Sequence, residues 1–192
     1  MEKQKVMDYF SHISTDILHR AKKIKLLLTD LDGVLTDGGI LLDDQGMEYK
    51  RFQVKDGQII RYLQETGIQV GVLSGRDVAV SKKRCDQMKV DFHLHGVRDK
   101  WGTIAEILEQ TNTSTTEVAY IGDDLIDLEL LQKVGFSAAP ADAMDYICDK
   151  VHYVTSKPGG GGSFRELADL ILFAQGNLHS IISTTSQSES DN

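Results

Sequence analysis

Residues 25–39 read Lys-Leu-Leu-Leu-Thr-Asp-Leu-Asp-Gly-Val-Leu-Thr-Asp-Gly-Gly. The first five make an apolar run too short and too continuous for an amphipathic surface element, which suits a strand buried on both faces of a parallel sheet. The run stops at Asp30, and a second carboxylate, Asp32, follows two residues on. In open α/β sheets ligands bind just beyond the carboxyl ends of the strands. This one stretch therefore predicts both the class of fold and the place where chemistry occurs.

Outward from it the chain alternates. Short apolar runs occur at 68–73, 90–94, 117–121, 135–139 and 151–155, separated by helix-length segments near 57–66, 77–88, 100–111, 124–133, 142–148 and 163–175. That rhythm predicts an α/β fold, a Rossmann-like parallel sheet with helices on both faces. Ahead of the first strand, Val6, Phe10, Ile13, Ile17, Leu18 and Ala21 recur at helical spacing, which predicts one amphipathic leading helix. Residues 38–52 break the rhythm. Two apolar-containing arms flank Asp43-Asp44-Gln45-Gly46, the signature of a β-hairpin that stands out from the sheet as a flap. The expected organisation is one domain over 1–178, with no large cap domain, and a polar, flexible tail over 179–192.

Composition narrows the partners. The chain has 192 residues, 41% hydrophobic and 26% charged, with 21 Lys+Arg against 29 Asp+Glu and a formal net charge of -8. Such a balance argues against a general nucleic-acid binder, which presents a basic face. It leaves anionic small molecules open, since a bound metal reverses the sign of a site. No apolar run is long enough to span a membrane, and the first residues, Met1-Glu-Lys-Gln-Lys5, lack the apolar core of a signal peptide, so the cytoplasm is expected. Cys85 and Cys148 form no Cys-x-x-Cys pair and read as two reduced, partly buried thiols. His93 and His95 alternate along a strand and face one side. No third metal ligand is evident beside them, which favours two ordinary histidines.

The carboxylates concentrate in two clusters. One is Asp30-Leu-Asp32 through Asp37; the other is Gly122-Asp123-Asp124-Leu-Ile-Asp127, again where an apolar run ends. At one edge of one sheet these would repel unless a cation joined them, and hard oxygen donors favour Mg²⁺ over zinc or copper. An EF-hand loop is excluded, because Leu35 and Leu41 stand where it needs glycine and glutamate. Ser74, in Ser-Gly-Arg76, follows the second strand and offers a hydroxyl and backbone amides to a phosphate oxygen. Lys100 opens the helix after the third strand with a positive charge.

Asp-x-Asp, Ser, Lys and Gly-Asp-Asp-x-x-Asp, in this order and each at a strand end, resemble the haloacid dehalogenase superfamily of phosphatases. The likeness runs from Ile24 to Leu178. Within the superfamily the chain is similar to the capless group that acts on phosphorylated sugar acids. Val54-Lys-Asp-Gly57, Arg84-Cys85, the Gly159–Gly162 loop, Arg165-Glu166 and Ala174-Gln-Gly176 carry that closer match. The resemblance implies that Asp30 is the nucleophile and forms an aspartyl-phosphate, and that Asp32 is the general acid and base. It implies that Mg²⁺ is held by the Asp30 carboxylate, the Asp32 carbonyl and Asp123. Ser74 and Lys100 would hold phosphate oxygens, Asp32 and Gly75 would also bind substrate, and Arg76 and Arg84 would suit the sugar's carboxylate or hydroxyls. Asp124 and Asp127 would orient Asp123 and Lys100 or cap the following helix. It further implies hydrolysis of an eight-carbon sugar-acid phosphate toward lipopolysaccharide, in a homotetramer assembled through the hairpin. A nine-carbon sugar-acid phosphate, or a catalytically silent scaffold, are the alternatives. The chain departs from the usual pattern at Ser74, Ile59 and Gly161, where threonine, glycine and a larger residue are common.

Overall fold

The computed structural model describes residues 2–188, with side chains over 6–184. Six parallel strands form one sheet: β1 (Leu26–Thr29), β4 (Gln69–Ser74), β5 (Phe92–His95), β6 (Val118–Ile121), β7 (Phe136–Ala139) and β8 (Tyr153–Val154). Their order is β5-β4-β1-β6-β7-β8, so β1 is central and the chain changes direction across it. Asp30 follows this strand at the switch point of the sheet, the place such folds reserve for a ligand.

The period of two decides how the strands are buried. Leu26 and Leu28 of β1 join Val118 and Tyr120 of β6 in the core on one face. Leu27 joins Ala119 and Ile121 in the core on the other. All four residues of each strand are thus covered, which explains a continuous apolar run where a half-exposed strand would alternate. On the Leu27 side lie α2 (Thr15–Ala21), α3 (Val54–Glu65) and α8 (Ser163–Ala174). On the other lie α5 (Ile104–Thr111) and α6 (Leu128–Lys133). The helix α4 (Ala79–Met88) packs beside the edge strand β5, and α7 is the short Asp145–Cys148.

Two expectations are corrected. The leading segment is two helices, α1 (Glu2–Tyr9) and α2, because Ser14 caps the second: its Oγ accepts from Ile17 N at 3.4 Å. Phe10, between them, is buried and stacked on Phe173 of α8, which locks the break in place. The polar stretch from Ser180, expected as a loose tail, is helical to Ser188 as part of α9 (Leu178–Ser188). Leu178, Ile181 and Ile182 stand at helical spacing and pack on the core, so three well-placed apolar residues outweigh the polar ones between them. The end of the expected tail, 189–192, lies outside the described residues.

The hairpin forms as β2 (Leu41–Leu42) paired antiparallel with β3 (Glu48–Tyr49). Its turn is tied by Asp43, whose Oδ1 accepts from Gln45 N at 3.0 Å and Met47 N at 2.7 Å. Among the described residues no helix is long and apolar enough to cross a membrane.

Candidate active site

Four strand ends deliver the acidic and basic groups to one cleft. Asp30 extends β1, its amide donating to Ile121 O at 2.9 Å so that the strand ladder positions the carboxylate. The loop after it doubles back through Gly33, whose φ of +94° suits glycine; a Cβ there would meet Asp123 Oδ2 at 2.0 Å. That close approach brings the two acidic clusters together. The Gly159–Gly162 loop closes the same side: a Cβ on Gly159 would lie 1.9 Å from Gly33 O, and Gly160 N donates to Val34 O at 2.9 Å. The loop is therefore packed structure at the site's edge.

At the centre, Lys100 is fully buried and saturated. Its Nζ donates to Asp30 Oδ1 and Asp127 Oδ1, each at 2.5 Å, and to Tyr120 Oη at 3.0 Å. Burial pulls the ammonium's pKa down, but the two facing carboxylates outweigh it and hold it above its ordinary value. Asp127 is equally committed. Its Oδ1 also accepts from the Tyr120 hydroxyl, and its Oδ2 accepts from the amides of Asp123 at 3.0 Å and Asp124 at 3.2 Å. Asp127 thus fixes Lys100 from one oxygen and the Asp123 loop from the other. Asp124 caps the short turn that follows, its Oδ1 accepting from Leu125 N at 2.7 Å.

Carboxylate oxygens of Asp30, Asp123 and Asp127 lie within 4.8 Å of one another. Burial raises the Asp30 carboxyl to about 7, with the Asp127 charge adding to it and Lys100 opposing. Burial likewise raises Asp123 to about 8, reinforced by the charges of Asp30, Asp127 and Asp124. Asp123 Oδ1 is buried with no hydrogen-bond partner. A crowded all-oxygen cluster with an orphaned carboxylate oxygen fits a hard divalent cation such as Mg²⁺, which would relieve both the repulsion and the unmet acceptor.

Asp32 faces the hairpin. Lys50, its side chain wholly buried, donates to Asp32 Oδ1 at 2.5 Å and Ser81 Oγ at 3.1 Å, and lies 3.3 Å from Glu48 Oε1. Arg76 Nη2 reaches the other oxygen of Glu48 at 2.8 Å. The flap is thus pinned to the site by its own charged face. Ser74 is buried, and its Oγ bonds within its turn, donating to Arg76 O at 3.0 Å and accepting from Arg76 N at 3.2 Å. Asp30, Asp32, Gly75, Arg76, Arg98, Asp123, Asp124 and Ile126 line a cleft of about 360 Å³. Arg84 is not among these lining residues; its guanidinium sits over the Phe52 ring at 5.6 Å, against Gly57. A larger hollow of about 700 Å³ lies at the opposite ends of the strands, around Lys22, Lys23, Lys25 and Glu117, away from the acidic cluster.

Sequence reasoning missed Lys50, Glu48, Tyr120 and Arg98. For the first two the sequence pattern pointed the other way: alternation along 47–52 would turn apolar Met47 and Tyr49 inward, whereas the structure covers positions 48, 50 and 52 in part and exposes 47, 49 and 51. Tyr120 hides as an ordinary apolar strand position, and burial holds its hydroxyl protonated well above the usual phenol range.

Comparison with known proteins agrees with this geometry. Residues 94–162 match the haloacid dehalogenase-like hydrolase family. The chain is 38% identical over 169 residues to the 3-deoxy-D-manno-octulosonate 8-phosphate phosphatase KdsC of Escherichia coli K12, covering 88% of this chain and 90% of that one. The crystal structure of the Yersinia pestis phosphatase of the same name superposes with a TM-score of 0.84 at 41% identity, over 86% of this chain and 90% of that one. That of the Moraxella catarrhalis enzyme, in complex with magnesium, phosphate and KDO, gives 0.87 at 33% identity, over 91% and 99%.

Proposed function

The chain belongs to the haloacid dehalogenase superfamily, in its 3-deoxy-D-manno-octulosonate 8-phosphate phosphatase group, and from this premise we propose that it hydrolyses that sugar phosphate to the free sugar acid and inorganic phosphate. The observation that carries the reading is Asp30, buried at the central strand's end, held by Lys100 and with a carboxylate oxygen of Asp123 within 4.8 Å of its own. The Asp30 and Asp123 carboxylates and the Asp32 carbonyl would hold Mg²⁺. When bound, the ion supplies the positive charge that lets a carboxylate approach a phosphate dianion.

Asp30 attacks phosphorus in line, and the bond to the sugar oxygen breaks as the aspartyl-phosphate forms. Asp32 delivers a proton to the departing alkoxide, then takes one from the water that hydrolyses the acyl phosphate. Lys100 already donates to Asp30, so its charge stands beside the attacking oxygen and next to the equatorial oxygens in transfer. Ser74 holds the turn that aims the Gly75 and Arg76 backbone toward phosphate. Arg76, on the cleft wall, suits the sugar's carboxylate. Asp124 and Asp127 act through Asp123 and Lys100.

The proposal extends to assembly and place. Leu41, Leu42 and Met47 are 69%, 67% and 60% exposed on the hairpin. Apolar residues grouped this way call for a partner surface, and a homotetramer built through the hairpins would cover them and roof a site without a cap. The reaction belongs in the cytoplasm, where lipopolysaccharide precursors are made.

The test is phosphate release from 3-deoxy-D-manno-octulosonate 8-phosphate, with Mg²⁺ and with EDTA, against a nine-carbon sugar-acid phosphate and p-nitrophenyl phosphate. We expect Mg²⁺-dependent turnover and the highest kcat/KM for the eight-carbon substrate. Higher kcat/KM for the nine-carbon compound would reassign the sugar, and no turnover on any of the three would reject the enzyme.

A further inference from the structure

Among the described residues, one cluster of metal-ligating side chains stands outside the site above. The helix α4 sets Cys85, fully buried, against the edge strand β5, whose His93 and His95 point to the same side. The thiol sulfur and one nitrogen of each imidazole lie within 4.8 Å of one another. Cys85 thus offers the third donor that the spacing along β5 leaves unseen.

The hydrogen bonds fix the tautomers. Asp86 Oδ1 lies 3.1 Å from His93 Nε2, and a carboxylate accepts, so Nε2 carries the proton and His93 Nδ1 has the lone pair. His93 Nδ1 lies 2.9 Å from His95 Nε2, which must then donate to it. His95 Nδ1 is left with a lone pair that is buried and has no hydrogen-bond partner. A buried acceptor without a donor is a cost that a cation removes. A carboxylate on the far nitrogen of a histidine is also the support that metal-bound imidazoles use to fix their ring.

We propose that Cys85, His93 and His95 form a structural Zn²⁺ site, separate from the carboxylate site and not used in phosphoryl transfer. One sulfur and two nitrogens select zinc over magnesium, which takes hard oxygens. Tetrahedral bonds of about 2.0–2.3 Å place ligand atoms ~3.3–3.6 Å apart, so atoms now within 4.8 Å of one another close by about 1.5 Å at most. On binding, the Cys85 thiol loses its proton to solvent, the His95 Nε2–H gives up its hydrogen bond so that the His93 Nδ1 lone pair reaches the ion, and water takes the fourth position. The ion would tie α4 to β5. Because His95 pairs in register with Ser74, that tie also braces the strand beside the phosphate turn.

The test uses the full chain in the Asp123→Asn background with excess Mg²⁺, so that the carboxylate site does not report. Chelator-stripped protein is titrated with Zn²⁺ and, separately, with Co²⁺. We expect one Zn²⁺ per chain, and with Co²⁺ the near-ultraviolet sulfur-to-metal charge-transfer band that only a thiolate ligand gives. His93→Gln and His95→Gln, both at partly exposed positions, should each weaken Zn²⁺ binding on the order of 100-fold, and Cys85→Ser should abolish the band. Circular dichroism distinguishes loss of a ligand from loss of the fold, and the histidine variants keep the test decisive if Cys85→Ser fails to fold. Absence of the cobalt band in the parent, or equal Zn²⁺ affinity in the histidine variants, would overturn the site.

Discussion

Asp32 is pulled in two directions. As a general acid it must carry a proton, whereas Lys50 at 2.5 Å pairs with it as a carboxylate. The pair sets its orientation and leaves Oδ2 buried without a partner. We expect Asp32→Asn to slow hydrolysis of the sugar phosphate, whose alkoxide needs a proton, far more than hydrolysis of p-nitrophenyl phosphate, whose phenolate does not. Equal losses on both substrates, measured as kcat, would remove the acid role. Lys50→Met should lower kcat/KM for the sugar phosphate by one to two orders of magnitude, about 1.4–2.8 kcal/mol of transition-state stabilisation. A variant within twofold of the parent would show that the hairpin lysine only closes the flap.

Elements carry their own tests. The helix α8 begins over Asp56 of α3, whose Oδ1 accepts from Arg165 N at 2.9 Å while its other oxygen is buried without a partner. Burial raises this carboxyl from 3.8 to about 6, against the pull of the Arg165 amide and the nearby arginines. The folded state therefore binds this proton more tightly than the unfolded chain. Its contribution to stability is complete below about pH 4 and lost as pH rises through 6. Asp56→Asn keeps the acceptor and removes the buried charge. It should stabilise the fold at pH 8, by about 3 kcal/mol at most, and the gain should vanish at pH 4 in denaturant titrations. In the hairpin Glu48 and Lys50 reach the site, while Leu42 and Met47 are left exposed. Leu42→Glu and Met47→Glu should dissociate the assembly in light scattering and lower kcat/KM for the sugar phosphate more than for p-nitrophenyl phosphate. A fully active monomeric parent would defeat the tetramer.

The molecule as a whole holds several carboxylates close together at the end of its central strand, an arrangement that costs stability without a cation. Mg²⁺ at about 100 times its Kd should add about 2.7 kcal/mol. For a chain of this length that raises Tm by roughly 5–10 °C. Asp123→Asn should lose that gain, because it removes a ligand, and should abolish activity. Yet the same substitution should raise the Tm of the metal-free protein, since it removes a buried charge from beside Asp30 and Asp127. Scanning calorimetry with and without EDTA checks both signs; an Asp123→Asn protein less stable than the metal-free parent would contradict the repulsion.

The parallel sheet, its order of elements and the strand-end placement of Asp30 and Asp123 were legible because they rest on local periodicity and on where an apolar run stops. The hairpin was legible from its turn. The break at Ser14 and the helix α9 were not, since both depend on what the apolar residues dock against: Phe10 on Phe173, and Ile181 and Ile182 on the core. The contacts that make the site were also out of reach. Lys100 meets Asp30 across 70 positions, Lys50 meets Asp32 across 18, and Cys85 meets the histidines of β5 only because α4 packs on that edge strand. Backbone pattern determines which residues share a face; which faces meet is decided by burial of the whole apolar surface, and a sequence records that only through the folded chain.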